Sequence, residues 1–374
     1  VRWKSMGSPS INENPVKNRL GRFRKRLKAL ELDGYCVWKR VNVRYLSGFR
    51  NEDAALLITP DDVILITDFR YTEQARIEAP LCEVIERDCS LAESVAKHAR
   101  KAGVSRLGFE SDCVPHAVFE DMRHNCGKTK LVPGRRVIEE VRQIKEQEEV
   151  EAIRRAILLG QRAFKRVFLD SDWSGMTEFE MVNALEFEMR SLGAECAAFD
   201  TICAVDEGAS QPHHQCLKKK PGKTSSLLVD WGARLDGYCG DLTRILFRRT
   251  IAPELKGIYQ VALDAQKLAL EAIRPGVTGA SIDRVARSHI ESKGYGREFG
   301  HGLGHGLGME VHELPSVNAA GKVRLKPGMV FTVEPGIYLA GRMGVRIEDV
   351  VVVTKDGCRI LSSLPKTLQS ATLA

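Results

Sequence analysis

The sequence predicts an α+β chain of two domains, and three observations carry that prediction. Residues from about 15 to 135 alternate helix and strand signals, the pattern of an α/β layer domain. Beyond them, helical stretches come first and β-rich stretches lie between and after them. Residues of metal-ligand type, set in glycine-rich or apolar surroundings, fall only on that second set of β-rich stretches. A length of 374 residues is enough for two separate cores.

In the first domain Arg19 to Leu32 reads as a helix closed by Asp33-Gly34. The run RLGRFRKRLK within it is basic enough to suggest a nucleic-acid patch. The spacing of Leu20, Phe23, Leu27 and Leu30 instead favours an amphipathic helix with a solvated basic face. Gly34 to Trp38, Ala54 to Thr59 and Val63 to Thr67 read as strands, with Pro60-Asp61-Asp62 turning between the last two. Leu91 to Ala102 is a further helix, closed by Gly103.

Val137 to Leu169 predicts a long charged helix across the domain boundary. A second helix starts at Thr177, where Glu180 completes a capping box. Others are expected over Ala252 to Ile273, before Pro275-Gly276, and over Ser281 to Lys293. Strands are expected over Phe199 to Val205, Ser226 to Ala233, Tyr238 to Phe247, Met329 to Val333 and Val345 to Val353.

Composition excludes several classes. The hydrophobic share of 43% and net charge of +7 describe an ordinary globular chain, with no call for a nucleic-acid partner. Its 10 cysteines form no CxxC pair, which removes zinc-ribbon and thioredoxin-like readings and suits reduced thiols in a cytoplasm. No apolar run approaches the ~18 residues of a membrane span, and no signal-peptide core is expected. The chain opens on Val1, so VRWKSMGSPS reads as a tag, a processed end or a misplaced start, and residues 1–14 are set aside as an extension.

Five residues carry the chemistry: Asp230 (LLVDWGA), Asp241 (YCGDLTR), His305 (HGLGHGLG), Glu334 (FTVEPGIY) and Glu348 (GVRIEDVVV). Ionised carboxylates only accept hydrogen bonds, so four together without a cation would repel and protonate. If the five converge, a pair of hard divalent ions is the natural reason, and such a pair is a hydrolytic centre. Asp230 and Asp241 flank the turn sequence Arg234-Leu235-Asp236-Gly237, which can set them on facing strands. Asp236 belongs to the turn itself. GHGLGHGLG matches neither GxGxxG nor a Walker loop, and His301 and His305 have no glutamate between them as a zincin requires. A tight backbone approach to a metal centre, with glycine making room, remains. Glu348 lies in an otherwise apolar strand two residues after Arg346, so a plain salt bridge between them is the competing explanation.

Together these segments resemble the pita-bread metallopeptidase family, which includes prolidase, aminopeptidase P, methionine aminopeptidase and the metal-free relative creatinase. NVRYLSGF and ITDFRYTEQA resemble the family's amino-terminal domain, and VRQIKEQEEVEAIRRA its linker helix. LLVDWGA, GDLTR, HGLGHGLGMEVHE, GMVFTVEPGIY and GVRIEDVVVV follow its catalytic motifs in order. The resemblance implies a creatinase-like α/β domain over residues 15–136, then a pita-bread domain over 137–374 with a curved antiparallel sheet flanked by helices. It implies metal ligation by Asp230, Asp241, His305, Glu334 and Glu348, with Asp241 and Glu348 shared by both ions. It matches His213 and His312 to imidazoles on the substrate carbonyl and oxyanion, and Phe199 to a wall of the proline pocket. Arg346 and His301 stand behind the ligands. The departure is AVDEGASQPHH, where relatives more often carry a small, asparagine-containing loop.

Methionine aminopeptidases generally lack the first domain and creatinase lacks the ligands, so the resemblance implies hydrolysis of Xaa-Pro bonds by a hydroxide bridging two ions. Oxygen-rich ligation points to manganese, with cobalt or zinc as substitutes. His213, His312 and Glu334 are the expected catalytic groups, short proline-containing peptides the substrates, and a homodimer the assembly. A dipeptidase is preferred over an aminopeptidase P because the chain has no long insertion. The rival of another class is a peptide- or protein-binding module without catalysis on the same fold.

Overall fold

The computed structural model describes residues 15–373, so the expected extension over residues 1–14 lies outside it. The described chain divides after Val141 into two compact units.

The first unit opens with α1 (Pro15–Ala29), which buries Leu20, Phe23 and Leu27 and leaves its basic face outward. A six-stranded sheet follows, built from β1 (Gly34–Val37), β2 (Ala54–Ile58), β3 (Val63–Thr67), β4 (Glu83–Glu86), β5 (Arg106–Glu110) and β6 (Lys130–Gly134). Their order across the sheet is β4-β3-β2-β1-β5-β6. β1, β2 and β3 are antiparallel and the others join in parallel, so the sheet is mixed. Central strands such as AALLI and VILIT are buried along their whole length, which is why they read as unbroken apolar runs. The helices α2 (Arg40–Ser47), α3 (Thr72–Glu78), α4 (Leu91–Lys101) and α5 (His116–Asn125) connect them. The side chain of Ser90 caps α4 at the Glu93 amide, and Gly103 follows at a φ of 70°.

The helix expected from Val137 to Leu169 is broken. A short α6 (Glu139–Arg142) ends before Ile144, which bridges to Met329, and α7 (Gln147–Phe164) restarts with its own capping box at Glu146 and Glu149. A wider π turn over Lys165–Leu169 finishes α7. The expected capping box of Thr177 and Glu180 starts α8 (Glu178–Ser191).

The second unit holds nearly all its strands in antiparallel pairs. β7 (Cys196–Ala197), β10 (Ala233–Leu235) and β11 (Tyr238–Cys239) form one small sheet. β8 (Ile202–Val205), β9 (Ser226–Trp231) and β12 (Leu242–Arg248) form another, joined at the edge by β20 (Thr372–Leu373). A five-stranded sheet takes β13 (Gly304–Gly306), β14 (Glu313–Val317), β15 (Val330–Val333), β18 (Asp349–Val353) and β19 (Cys358–Ile360). β16 (Gly336–Leu339) pairs with β17 (Met343–Arg346). The helices α9 (Pro253–Ala272) and α10 (Gly279–Ser292) pack on this layer, with Ile258, Ala262, Ile282 and Ile290 buried against Phe331, Val333 and Val351. α11 (Leu368–Ala371) leads into β20. The chain is thus α+β, an α/β unit followed by antiparallel sheet flanked by helices.

Candidate active site

Asp230 is placed by its neighbour. Trp231 stacks on Phe164 with centroids 4.3 Å apart, and its indole Nε1 donates to the Gly160 carbonyl at 2.9 Å. Strand residues alternate faces, so the tryptophan anchored on α7 turns Asp230 to the opposite side. There it sits across the ladder from Thr243. Asp241 falls in the interruption between β11 and β12. A side chain at Gly240 would lie 3.0 Å from the Ile157 amide nitrogen, so glycine allows the strand to run this close to α7.

Glu334 directly follows β15. Glu348 lies between β17 and β18, so the continuous strand expected over Val345 to Val353 is broken there as the chain leaves one sheet for another. Gln266 of α9, fully buried, donates to the carbonyls of Val333 and Ile347 at 3.0 and 3.1 Å. It thereby fixes the backbone immediately before each glutamate.

His305 is the middle residue of β13. A Cβ on Gly304 would come within 2.0 Å of the Thr332 carbonyl oxygen, and one on Gly306 within 2.2 Å of that of Leu314. At these two positions glycine makes room for the backbones of neighbouring strands.

These elements bring the five residues onto one cavity of about 460 Å³. Asp241 and Glu348 are buried, while Asp230, His305 and Glu334 are partly open to it. One ligand atom each from Asp241, His305 and Glu348 lies within 4.8 Å of the others. His305 Nε2 is 3.2 Å from a Glu334 oxygen and 3.6 Å from Asp241 Oδ2. Arg346 pairs with Asp230 at 2.5 Å rather than with Glu348, and also donates to Tyr338 Oη at 2.8 Å and the Pro212 carbonyl at 3.3 Å. The simple Arg346–Glu348 bridge is therefore absent from the described ion pairs. Thr243 Oγ1 donates to Glu348 at 2.7 Å and accepts from Arg346 Nε at 3.0 Å.

The electrostatics of the cluster are those of a site built for positive charge. Burial, then the neighbouring Glu348 and Asp230, push the Asp241 carboxyl well above the usual carboxylate range. Burial followed by Glu334 and Asp230 does the same to Glu348. Burial raises Asp230 as well, against the opposing pull of Arg346. Burial acts on Glu334 in the same direction, but the His305 hydrogen bond and charge outweigh it and hold that carboxyl at about 2. Asp230 Oδ1 and Glu348 Oε1 are buried with no hydrogen-bond partner among the described residues. Buried acceptors are rarely left so. Clustered carboxylates with orphan lone pairs and one imidazole fit divalent cations, which satisfy acceptors where no donor is present.

The remaining expected residues line the same cavity. His213 and His312 do so from different loops, and Phe199 forms part of the wall. The His312 ring stands edge-on to His305 with centroids 4.2 Å apart. Burial and then the neighbouring His305 lower its pKa. His301 is hydrogen-bonded through Nε2 to Tyr338 Oη at 3.0 Å, so it reaches the cluster through Tyr338 and Arg346. Asp236 takes the turn between β10 and β11 with a φ of 52° and pairs with Arg155 at 3.0 Å, away from the cluster. Thr243, Gln266 and Tyr338 were not singled out from sequence. Thr243 and Tyr338 stand inside the motifs GDLTR and EPGIY, but Thr243 meets Glu348 and Arg346 more than 100 residues later, and Tyr338 meets Arg346 across a hairpin and His301 from another segment.

Comparison with known proteins agrees with this geometry. Residues 151–355 match the model of metallopeptidase family M24, and residues 19–144 that of the creatinase/prolidase N-terminal domain. The chain is 39% identical over 350 residues to the uncharacterized peptidase YqhT of Bacillus subtilis, covering 94% of this chain and 99% of the relative. An Xaa-Pro dipeptidase from Bacillus anthracis superposes with a TM-score of 0.92 at 33% identity, covering 96% of this chain and 100% of the other. An X-Pro aminopeptidase from Thermotoga maritima superposes at 0.86 with 35% identity over 92% and 99% of the two chains. Two domain matches in order and relatives aligned end to end, on a fold that gathers acids and an imidazole around one cavity, place this peptidase in metallopeptidase family M24.

Proposed function

We propose that the chain hydrolyses the peptide bond between an amino-terminal residue and proline, as an Xaa-Pro dipeptidase. The observation that carries the reading is the cavity itself, whose lining brings Asp230 and Glu348, each with an orphaned carboxylate oxygen, together with His213, His312 and Phe199. The similarity to an Xaa-Pro dipeptidase and an X-Pro aminopeptidase supports the same bond.

Asp230, Asp241, His305, Glu334 and Glu348 would hold two divalent ions, with Asp241 and Glu348 shared. The predominance of carboxylate donors favours manganese, with cobalt or zinc as substitutes. Bound there, the ions supply Lewis acidity that activates water and polarises the scissile carbonyl. Glu334 takes the proton from the attacking water and delivers it to the proline nitrogen as the C–N bond breaks. His213 and His312 donate hydrogen bonds to the carbonyl oxygen and to the charge it develops. Proline has no N–H to recognise, so selectivity rests on packing of its ring, for which Phe199 is placed. Arg346 holds Asp230 and, through Tyr338, His301. A homodimer in the cytoplasm belongs to the same reading; among the described residues no helix is long and apolar enough to cross a membrane.

The test is release of alanine from Ala-Pro and Ala-Pro-Ala, by metal-stripped protein with and without manganese. Manganese-dependent cleavage of the dipeptide is expected. Preference for the tripeptide would replace the dipeptidase with an aminopeptidase P. Cleavage of neither, by protein carrying both ions, would sink the Xaa-Pro assignment.

A further inference from the structure

The segment that departs from the family pattern, Ala204 to His214, is also the one that carries His213, and it is held by an unusual buried pair. Glu178, the first residue of α8, is fully buried, and His214 is 6% exposed. His214 Nε2 lies 2.9 Å from Glu178 Oε2. The same carboxyl accepts the Val205 amide at 2.8 Å and the Leu217 amide at 2.6 Å. Glu178 therefore ties down both feet of the loop, Val205 and Leu217, and His214 between them. Its own amide donates to the Lys219 carbonyl at 3.0 Å, adding a further tie.

The rest of the loop is built around the His214 ring. A Cβ on Gly208 would sit 3.0 Å from the ring, so the turn over Asp206–Ser210 closes directly on it. Asp206 adopts a φ of 54°, and its carboxyl accepts the Ser226 amide at 2.8 Å and the Ser225 hydroxyl at 2.9 Å. On the other side of His213, the Pro212 carbonyl accepts from Arg346 at 3.3 Å. His213 itself is exposed and lines the cavity, yet both of its neighbours in sequence are fixed. One is held by the arginine that also holds Asp230, the other by Glu178.

We propose that Glu178 and His214 are positioning residues for the reaction: they form a latch that holds the His213 imidazole at the substrate carbonyl. This rests on the reading of His213 as a carbonyl-binding imidazole. A group that stabilises a transition state must be held to a fraction of an ångström, and a displacement of about 1 Å forfeits roughly 100-fold in rate. An exposed side chain on a loop gains that precision only from its supports.

The test compares His214→Phe, His214→Gln, Glu178→Gln, His213→Ala and the double variant His213→Ala/His214→Phe. Each is assayed with manganese on whichever of Ala-Pro and Ala-Pro-Ala the wild type cleaves, with bound metal counted by mass spectrometry. Phenylalanine keeps the ring without the donor, and glutamine restores a donor near the position of Nε2. The latch predicts that His214→Phe and Glu178→Gln lower kcat roughly 10- to 100-fold with KM little changed. Metal content stays at the wild-type level, His214→Gln recovers most of the loss, and His214→Phe has no further effect once His213 is alanine. Should Glu178→Gln fail to fold, His214→Phe carries the test, since it removes only one of the contacts of Glu178. Wild-type kcat in His214→Phe beside an impaired His213→Ala would discard the latch and leave the His213 reading standing. Loss of metal from His214→Phe, or a further drop in the double variant, would also discard it, because the pair would then serve the fold or the ligands. A silent His213→Ala would remove the His213 reading and the latch with it.

Discussion

Both units bury a carboxyl group within a sheet, and they treat it in opposite ways. In the first unit Glu110 is 3% exposed, and its oxygens accept from the Trp38 and Lys39 amides at 2.5 and 2.7 Å and from Asn42 Nδ2 at 2.5 Å. Burial raises its pKa, against the lowering effect of those three donors. In the second unit Asp230 and Glu348 each keep one buried oxygen without a partner among the described residues, and the neighbours of Asp241 include other carboxyls. The first arrangement spends an acid to organise backbone. The second leaves lone pairs unspent and acids crowded, which is unstable by itself and useful only with a cation. Asp349 repeats the contrast one residue from Glu348. It accepts from Arg244 at 2.8 Å and Ser362 at 2.5 Å and pairs with Lys366, and against the effect of burial those partners hold its pKa low.

Replacement by the neutral isostere should separate the two kinds of acid most widely. Asp241→Asn should lower kcat/KM by roughly 10³-fold or more, the scale for a group acting as a unit with its neighbours. In metal-free protein the same change relieves repulsion, so the thermal midpoint should rise by roughly 2–4 °C, as about 1 kcal/mol gives in a domain of this size. Glu110→Gln should do the reverse to stability. Its amide NH₂ would face N–H donors, an orphaning worth about 1–3 kcal/mol, and the midpoint should fall by roughly 5 °C or more. Equal signs for the two midpoint shifts in metal-free protein, read by calorimetry, would erase the distinction between them.

A second contrast concerns acid. Glu313 is buried beside Arg142 and Lys145, and although burial opposes it, those two cations hold its pKa at about 2. A carboxyl lowered in the folded state adds stability above its unfolded value near 4.5, and that stability is lost as pH falls through about 2. Glu313→Gln should therefore destabilise the protein at neutral pH, and its midpoint should converge with that of the wild type near pH 2. Parallel curves for the two proteins from about pH 5 down to about pH 2 would show that the carboxyl stores no acid-sensitive stability.

Asp230 and Glu348 were legible in the sequence because acids are unexpected inside runs such as LLVDW and RIEDVVVV, where burial demands a partner, and His305 because of the glycines on either side of it. The helix over residues 15–29 and the strands AALLI and VILIT were legible from periodicity and apolar length. Glu348 was named over its neighbour Asp349 because the motif it follows carries that choice, not because local physics separates two adjacent acids in one apolar run. The physical reason lies in the sheet, which breaks at Ile347-Glu348 and leaves Glu348 at the cavity and Asp349 with Arg244 and Lys366. The long helix over Val137 to Leu169 read as continuous because its charge pattern persists. The break near Ile144 comes from a bridge to Met329, a partner 185 residues later that no local pattern announces. The capping box of Thr177 and Glu180 marks the helix start beside Glu178, but the hold of Glu178 on His214 has the same long-range origin.

The adjacent acids also give the finest test, because each is served by one hydroxyl. Thr243 Oγ1 donates to Glu348 and at the same time accepts from Arg346 Nε, with Thr243 fully buried. Ser362 Oγ donates to Asp349, which keeps Arg244 and Lys366 if the hydroxyl is removed. Thr243→Val conserves shape but leaves a guanidinium N–H and a carboxyl oxygen unpaired within the cluster. Supports of this kind are worth about 10- to 100-fold in metal affinity or activity, and the lower end is expected because Arg346 keeps its bonds to Asp230 and Tyr338. Ser362→Ala removes one of several donors and should lower stability by about 1 kcal/mol or less, with manganese affinity and turnover unchanged. Manganese titration of the two variants by calorimetry decides between them. Equal affinities would mean that Thr243 supports only the fold, and the special status given to the Glu348 carboxyl would then rest on its orphan oxygen alone.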